Sequence, residues 1–268
     1  MIDLGKQNLL GVGIDAVDYE AAVSRIIHAA ELGQPYGVSA LAVHGVMTGV
    51  MDAEHRHRLN QLELVVPDGQ PVRWGLNWLH KTNLFDRVYG PDLMLKTCAA
   101  AESKGLRVGL FGGTAELLVS LQKNLLRSYP KLLFATAIPS RFRTLTPAEK
   151  VDLIQNIRDQ NCDLLMVGLG CPRQEVWAYE FKDQLSIPVL AVGAAFNFGA
   201  GKLSQAPTWM QRSGLEWLYR LIREPIRLWK RYLLLNPYYL WLLVCQKLGW
   251  MKFSTESAVK PDREILYG

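Results

Sequence analysis

The chain has 268 residues, of which 49% are hydrophobic and 21% charged. This suits one globular α/β domain with an appendage, and the length does not force a second domain. The basic surplus, 30 − 25 = 5, is modest, and the four cysteines (Cys98, Cys162, Cys171, Cys245) form no Cys-x-x-Cys pair. That spacing argues against zinc and dithiol chemistry, and nothing suggests disulfides, which fits a reducing cytoplasm. The N-terminus MIDLGKQNLLGVGID has no basic region followed by an apolar core, so no signal peptide is expected. Leu9 to Ile14 reads as a first strand. Asp18 is placed to cap a helix running to Leu32, with Gly33 as its stop. Tyr36 to Val43 reads as a buried strand, with a helix from about Gly45 and a short strand, Leu62 to Val66, emptying into Pro67-Asp68-Gly69. Arg87 to Met94, RVYGPDLM, opens a helix that stops at Gly105. The strand Leu106 to Phe111 runs into Gly112-Gly113-Thr114 and a helix to about Ser128.

After a strand at Leu132 to Ala137, Thr146-Pro147-Ala148-Glu149 carries the elements of a capping box with proline at the first helical position. Asp163 to Val167 is a strand ending in Gly168-Leu169-Gly170, and Pro172 starts a helix with Arg173, Gln174 and Glu175. Pro188 to Val192 is the last strand and is expected to run into a glycine loop, Gly193 to Gly201. Strands alternating with helices in this way imply a Rossmann-like, mostly parallel sheet with helices on both faces.

Residues 202–250 read as a basic amphipathic appendage to a core of residues 1–201, and 251–268 as a flexible tail. Between Lys202 and Arg231 there are seven basic residues against two acids, so the surplus is concentrated there. Such a patch attracts nucleic acid or anionic lipid. Arg220, Arg223, Arg227 and Arg231 recur at spacings of three and four, as one helical stripe, with Pro225 as a kink or restart. The bland alternative is an ordinary packed helix with a solvated basic face. The most apolar run, Tyr232 to Val244, falls short of the roughly 20 residues of a spanning helix and is interrupted by Asn236-Pro237, so a peripheral membrane element is the expectation.

Ligands of open α/β sheets bind beyond the carboxyl ends of the strands. Four glycine-bearing segments leave such ends: Pro67-Asp68-Gly69, Gly112-Gly113-Thr114, Gly168 to Gln174 and Gly193 to Gly201. Glycines there allow close backbone approach to phosphate, or simply make tight turns. Asp68 is a candidate general base, or a turn former. His44 follows a buried strand and is either a substrate contact or a satisfied core or loop histidine. Arg87 and Arg173 are candidate phosphate ligands, or solvated charges. No complete dinucleotide fingerprint, phosphate loop or nucleophile elbow occurs. Nothing reads as a metal-binding Asp-x-Asp, since Asp15 to Asp18 and Asp159 to Asp163 are wrongly spaced, and no cofactor is expected.

The segments PDGQPVRWG, RVYGPDLM, LFGGTAE, VGLGCPRQEVW and the long VGAAFNFGAGKLSQAPTWMQRSGLEWLYRLIREPIRLWKRY resemble the WecG/TagA/CpsF glycosyltransferase family, in its order and over most of Leu62 to Tyr232. The resemblance implies an inverting, metal-independent, N-acetylmannosaminyltransferase-like enzyme of cell-surface polysaccharide synthesis. It moves a sugar from a UDP-sugar to a polyprenyl-diphosphate-linked acceptor, and the appendage reaches the membrane and completes the active site. By the same resemblance the base falls on Asp68, a supporting arginine on Arg87, a donor-side glutamine on Gln174 and a donor contact on Asn197. Phe196-Asn197-Phe198 departs from the family's usual Phe-Asp-Phe, His44 from a usual Asn, and Gln70-Pro71 from a usual Ile-Gly, so the sugar does not transfer from the family.

The resulting expectation is a cytoplasmic enzyme peripheral to the inner face of the membrane, using Asp68 and Arg87 in catalysis. Its substrate contacts are His44, Gly69, Gly112, Gly113, Gly168, Gly170, Arg173, Gln174, Asn197, Arg220, Arg223 and Arg227. No nucleic-acid partner is expected, and the oligomeric state, homo-oligomer included, stays open. The rivals are a nicotinamide-dependent oxidoreductase, for which Leu41-Ala42-Val43-His44 lacks the acid needed after the second strand, and a non-catalytic basic membrane or nucleic-acid binder.

Overall fold

The computed structural model describes the backbone of all 268 residues and the side chains of all but Arg227 and Arg231. A hairpin of β1 (Asp3–Leu9) and β2 (Val12–Val17) precedes α1 (Tyr19–Glu31), β3 (Tyr36–Leu41), α2 (Val43–Met51) and α3 (Ala53–Asn60). Then come β4 (Leu64–Pro67), α4 (Gln70–His80), α5 (Gly90–Lys104), β5 (Arg107–Phe111), α6 (Ala115–Ser128) and β6 (Leu133–Ile138). The alternation closes with α7 (Pro147–Asp159), β7 (Leu164–Val167), α8 (Arg173–Leu185) and β8 (Pro188–Ala191). The C-terminal part carries α9 (Gly193–Gly199), α10 (Thr208–Arg212), α11 (Glu216–Arg223), α12 (Pro225–Lys230), a π-helical turn at Arg231–Leu235, and α13 (Asn236–Leu248).

Six strands form one parallel sheet in the order β4-β3-β8-β7-β5-β6, as the alternation requires. Side chains leave a strand on alternating sides. Val38, Leu64, Val66, Leu164 and Met166 accordingly lie in one core, with α1, α5, α6 and α9. Leu41, Val65, Leu165 and Val167 lie in the other, with α2, α4, α8 and α13. In the second core Trp177 stacks between Phe111 at 4.9 Å and Phe181 at 4.2 Å. Asp18 caps α1, and Thr146 with Glu149 forms the expected capping box on α7.

Two local expectations are corrected. Leu9 to Ile14 is not one strand: Leu10 and Gly11 take φ values of 57° and 85° and turn β1 back on β2, with Leu9 opposite Val12. A two-residue turn with both φ positive matches the twist of the paired strands, but leucine rarely occupies it. The buried Asp15 of β2 pins this hairpin to the sheet's edge, accepting from the Val65 backbone N–H at 2.7 Å and pairing with Lys6 and Arg25. Second, most of Gly193 to Gly201 is helix, not loop.

The helix after Gly214 breaks at Glu224, where φ and ψ are −132° and 58°. Proline at 225 disfavours helical geometry in the residue before it, and restarts a helix as its first residue. The π-helical turn ends immediately before Asn236-Pro237, where a proline removes the regular hydrogen bond. No described helix is long and apolar enough to cross a membrane. Tyr239, Leu242 and Leu243 of α13 are buried in the same core as Leu9 and Leu76, and Tyr239 Oη donates to the Pro71 carbonyl at 3.1 Å. The segment expected to be a flexible tail lies back on the body. Val259 N–H donates to Ala53 O at 3.1 Å, and Gly268 N–H to Arg143 O at 2.9 Å.

Removing a buried aromatic side chain costs about 3–5 kcal/mol. Tyr239→Ala is therefore expected to lower the thermal midpoint by several degrees in calorimetry, whereas Tyr238→Ala, at an exposed neighbouring position, changes it little.

Candidate active site

In a parallel sheet all strand ends of one kind lie along one edge, and here that edge gathers the segments after β3, β4, β7 and β8. At β4, the Asp68 backbone N–H donates to Leu41 O at 3.1 Å and Val88 N–H to Pro67 O at 2.9 Å. The Asp68 carboxylate accepts from Gly90 N–H, at the start of α5, at 2.7 Å. The Pro-Asp-Gly and Arg-Val-Tyr-Gly-Pro-Asp segments thus meet through Asp68. Arg87 is buried beside it, its guanidinium 4.2 Å from the centre of the Tyr89 ring and ion-paired to Glu216 of α11.

Three cavities follow the edge. The first, of about 580 Å³, is lined by His44, Asp68, Gly69, Arg87, Glu216 and Arg220, with Trp217 and Tyr232 at its sides. The second, of about 1150 Å³, is lined by Asp68, Tyr89, Gly170, Gln174, Asn197 and Arg220 among others. The third, of about 900 Å³, is bounded by Gly113, Thr114, Ser140, Phe142, Arg173 and Lys202. Asp68 and Arg220 border both the first and the second. Gly168, Arg173 and Asn197 border both the second and the third. The three spaces are neighbours in a row, and Asp68 stands at the junction of the first two.

Burial raises the Asp68 carboxyl to about 6, against the opposing pull of Arg87 and of the Gly90 N–H, with Glu216 adding to the rise. A carboxylate tuned this way holds a proton more readily than an exposed one and still ionises near neutral pH, which suits proton abstraction.

Gln174 is buried and acts as a brace. Its carboxamide oxygen accepts from Gly170 N–H at 3.0 Å and from Gly193 N–H at 2.8 Å, and its Nε2 donates to Glu175 at 2.9 Å. A Cβ on Gly193 would lie 2.8 Å from Gly170 N, so the two loops meet only because residue 193 has no side chain.

The structure brings together His44, Asp68, Gly69, Arg87 and Arg220 in the first cavity, and Gly168, Gly170, Arg173, Gln174 and Asn197 along the second. Gly113 borders the third. Gly112 borders none of the three. At φ 116° it packs on the neighbouring strand end, where a Cβ would meet the Gly168 carbonyl carbon at 2.8 Å. Arg223 also borders none of them, and its guanidinium lies 5.5 Å from the Tyr219 ring centre. The side chain of Arg227 lies outside the described residues. The break at Glu224 divides the expected four-arginine stripe, and of the two members whose side chains are described Arg220 borders the site and Arg223 does not. Sequence reasoning missed Glu216 and Tyr89. Glu216 had one local signal, an acid opening a helix in a basic segment. Tyr89 lies inside RVYGPDLM, where no pattern marks it as a platform for Arg87.

One relative, the N-acetylglucosaminyldiphosphoundecaprenol N-acetyl-beta-D-mannosaminyltransferase of Bacillus subtilis (strain 168), is 28% identical over 199 residues, covering 74% of this chain and 75% of that protein. The family described as Glycosyl transferase WecG/TagA/CpsF matches residues 7–252, a span that takes in Asp68, Arg87, Gln174 and the whole arm, and the chain belongs to that family.

Proposed function

We propose that the protein transfers a sugar from a UDP-sugar to a polyprenyl-diphosphate-linked saccharide, with inversion. The observation that carries this reading is the position of Asp68 between two cavities. The donor occupies the second cavity and extends into the third, and the acceptor's reacting hydroxyl enters from the first. Asp68 takes the proton from that hydroxyl. Its oxygen attacks the anomeric carbon from the face opposite the departing UDP, the C–O bond to the diphosphate breaks, and one displacement inverts the centre.

The relative named above supports the lipid-linked acceptor, since its name describes transfer to an N-acetylglucosaminyl-diphosphoundecaprenol. Arg173 at the start of α8 and Arg220 face the space assigned to the diphosphate, so its charge is met by arginine and helix N-terminal N–H groups without a divalent metal. Asn197 contacts the donor as an uncharged amide. His44, in the acceptor cavity, bears on which acceptor sugar fits.

A lipid-linked acceptor places the enzyme against a membrane surface, on the inner face of the cell membrane. The arm presents apolar side chains that support this, Ile226 being 91% exposed and Ile222, Trp209 and Trp229 also exposed, and Phe85 of the α4–α5 connection is 92% exposed. Exposed apolar side chains on a segment that also exposes Arg223 and Lys230 suit an interfacial bilayer contact.

Asp68→Asn is expected to lower kcat by about 10²–10⁴-fold while leaving UDP affinity within a fewfold, because a base acts in the chemical step. The wild-type kcat/KM should rise with pH through about 6 and level off above it, since the base works only when ionised, and pH-rate profiles check this limb. UDP should raise the thermal midpoint equally with and without EDTA, and loss of the shift in EDTA would show that a metal holds the diphosphate. The double variant Ile222→Glu, Ile226→Glu should float less with anionic vesicles and keep wild-type UDP affinity. Flotation equal to wild type would remove this face from the membrane contact.

A further inference from the structure

The loop between β6 and α7 forms one wall of the third cavity through Ser140 and Phe142. It has little regular structure of its own, and most of its bonds run elsewhere. Ser140 N–H donates to Gly113 O at 2.9 Å, joining the loop to the glycine turn after β5. On its other side the loop is held by the returning C-terminal segment. Leu145 N–H donates to Leu266 O at 2.7 Å and Gly268 N–H to Arg143 O at 2.9 Å, and Thr144 pairs antiparallel with Tyr267. The Ser140 hydroxyl donates to the Gly268 carbonyl at 2.6 Å and accepts from Phe142 N–H at 3.0 Å.

That hydroxyl therefore couples the returning segment to Phe142. Phe142 is 63% exposed and sits at φ 56°, a left-handed conformation that a bulky residue keeps only when its neighbours impose it. The segment is itself anchored. The buried Glu180 of α8 accepts from Ile265 N–H at 2.7 Å and Leu266 N–H at 2.9 Å, and Lys150 of α7 pairs with Glu264 at 2.6 Å. The family match ends at residue 252, so nothing in that match accounts for these contacts.

We infer that residues 264–268 are a positioning element for the donor: braced on Glu180, they hold the Ser140–Leu145 loop in place as the outer wall of the third cavity. This rests on the assignment of that cavity to the UDP-sugar. A strap acting only on overall stability would affect both substrates alike. A strap acting on this wall affects the donor and spares the acceptor, whose cavity lies beyond Asp68.

The test compares the 268-residue chain, Ser140→Ala, Ser140→Thr and a variant lacking residues 263–268. It measures UDP affinity by calorimetry, KM for donor and acceptor separately, kcat and thermal midpoint. Losing a hydrogen bond that orders the wall should raise the UDP Kd and the donor KM by about two- to tenfold in Ser140→Ala, and more in the shortened chain. Acceptor KM and kcat at saturating donor should stay near wild type, and Ser140→Thr, which keeps the hydroxyl, should restore donor affinity. The Ser140 pair decides the matter if the shortened chain does not fold. Unchanged donor KM in Ser140→Ala, or equal shifts in donor and acceptor KM, overturns the inference and leaves the donor assignment standing. A wild-type protein that binds no UDP overturns both.

Discussion

One buried carboxamide fixes the relation between the strand ends on which the cavities depend. Gln174 takes the N–H of Gly170 from the turn after β7 and the N–H of Gly193 from the turn after β8. The next residue, Glu175, is fully buried and accepts from Ser39 of β3 at 3.1 Å. Two consecutive side chains of α8 thus tie down three adjacent strands. Burial raises the pKa of the Glu175 carboxyl, against the bonds from Gln174 and Ser39. Buried polar groups of this kind cost free energy unless their partners are in place. The network therefore holds only with Gly170 and Gly193 correctly spaced, and that spacing forms one side of the second cavity.

Arg87 is the counterpart on the other side of Asp68. Its guanidinium lies on Tyr89 and pairs with a carboxylate carried by the arm. An ion pair withdrawn from water is a poor source of net stability, but losing one partner leaves the other buried and uncompensated. The docking of α11 and the electrostatics around Asp68 are therefore one contact. The same helix delivers Arg220 to the boundary between the first two cavities.

Much of the sheet was legible in the sequence because parallel strands are short, uniformly apolar and punctuated by glycine, and because capping residues announce the helices. The hairpin was not legible. Its turn places Leu10 at a positive φ inside an apolar run, and propensity contains no signal for that. The helix at Gly193 was hidden because small residues after a strand read as a loop. The strand-end segments and Asp68 could be picked out locally. The distinction between Gly113, which borders a cavity, and Gly112, which packs against Gly168, depends on a neighbouring strand end and has no local expression. Arg87 with Glu216 and Ser140 with Gly268 are separated by 129 and 128 residues, so only the folded chain could show them.

The bend at Glu224-Pro225 sets the reach of the arm. From Pro225 to Leu248 the chain is helical throughout, counting the π-helical turn. At 1.5 Å per residue this rod is roughly 36 Å long, comparable to the width of a small domain. Fused straight onto α11, it would work as a lever, and a small rotation where Tyr239 is seated would swing Arg220 through a much larger arc. The break makes them two helices packed on one another. The long rod is anchored through Tyr239 and Leu242, and the short helix pairs Glu216 with Arg87 while its Trp217 packs on Tyr232 of the rod, 6.0 Å between ring centres. Through Tyr232 and Asn236 the near end of the rod lines the first cavity beside α11, so the seat of Tyr239, although it borders none of the three cavities, bears on the shape of the first.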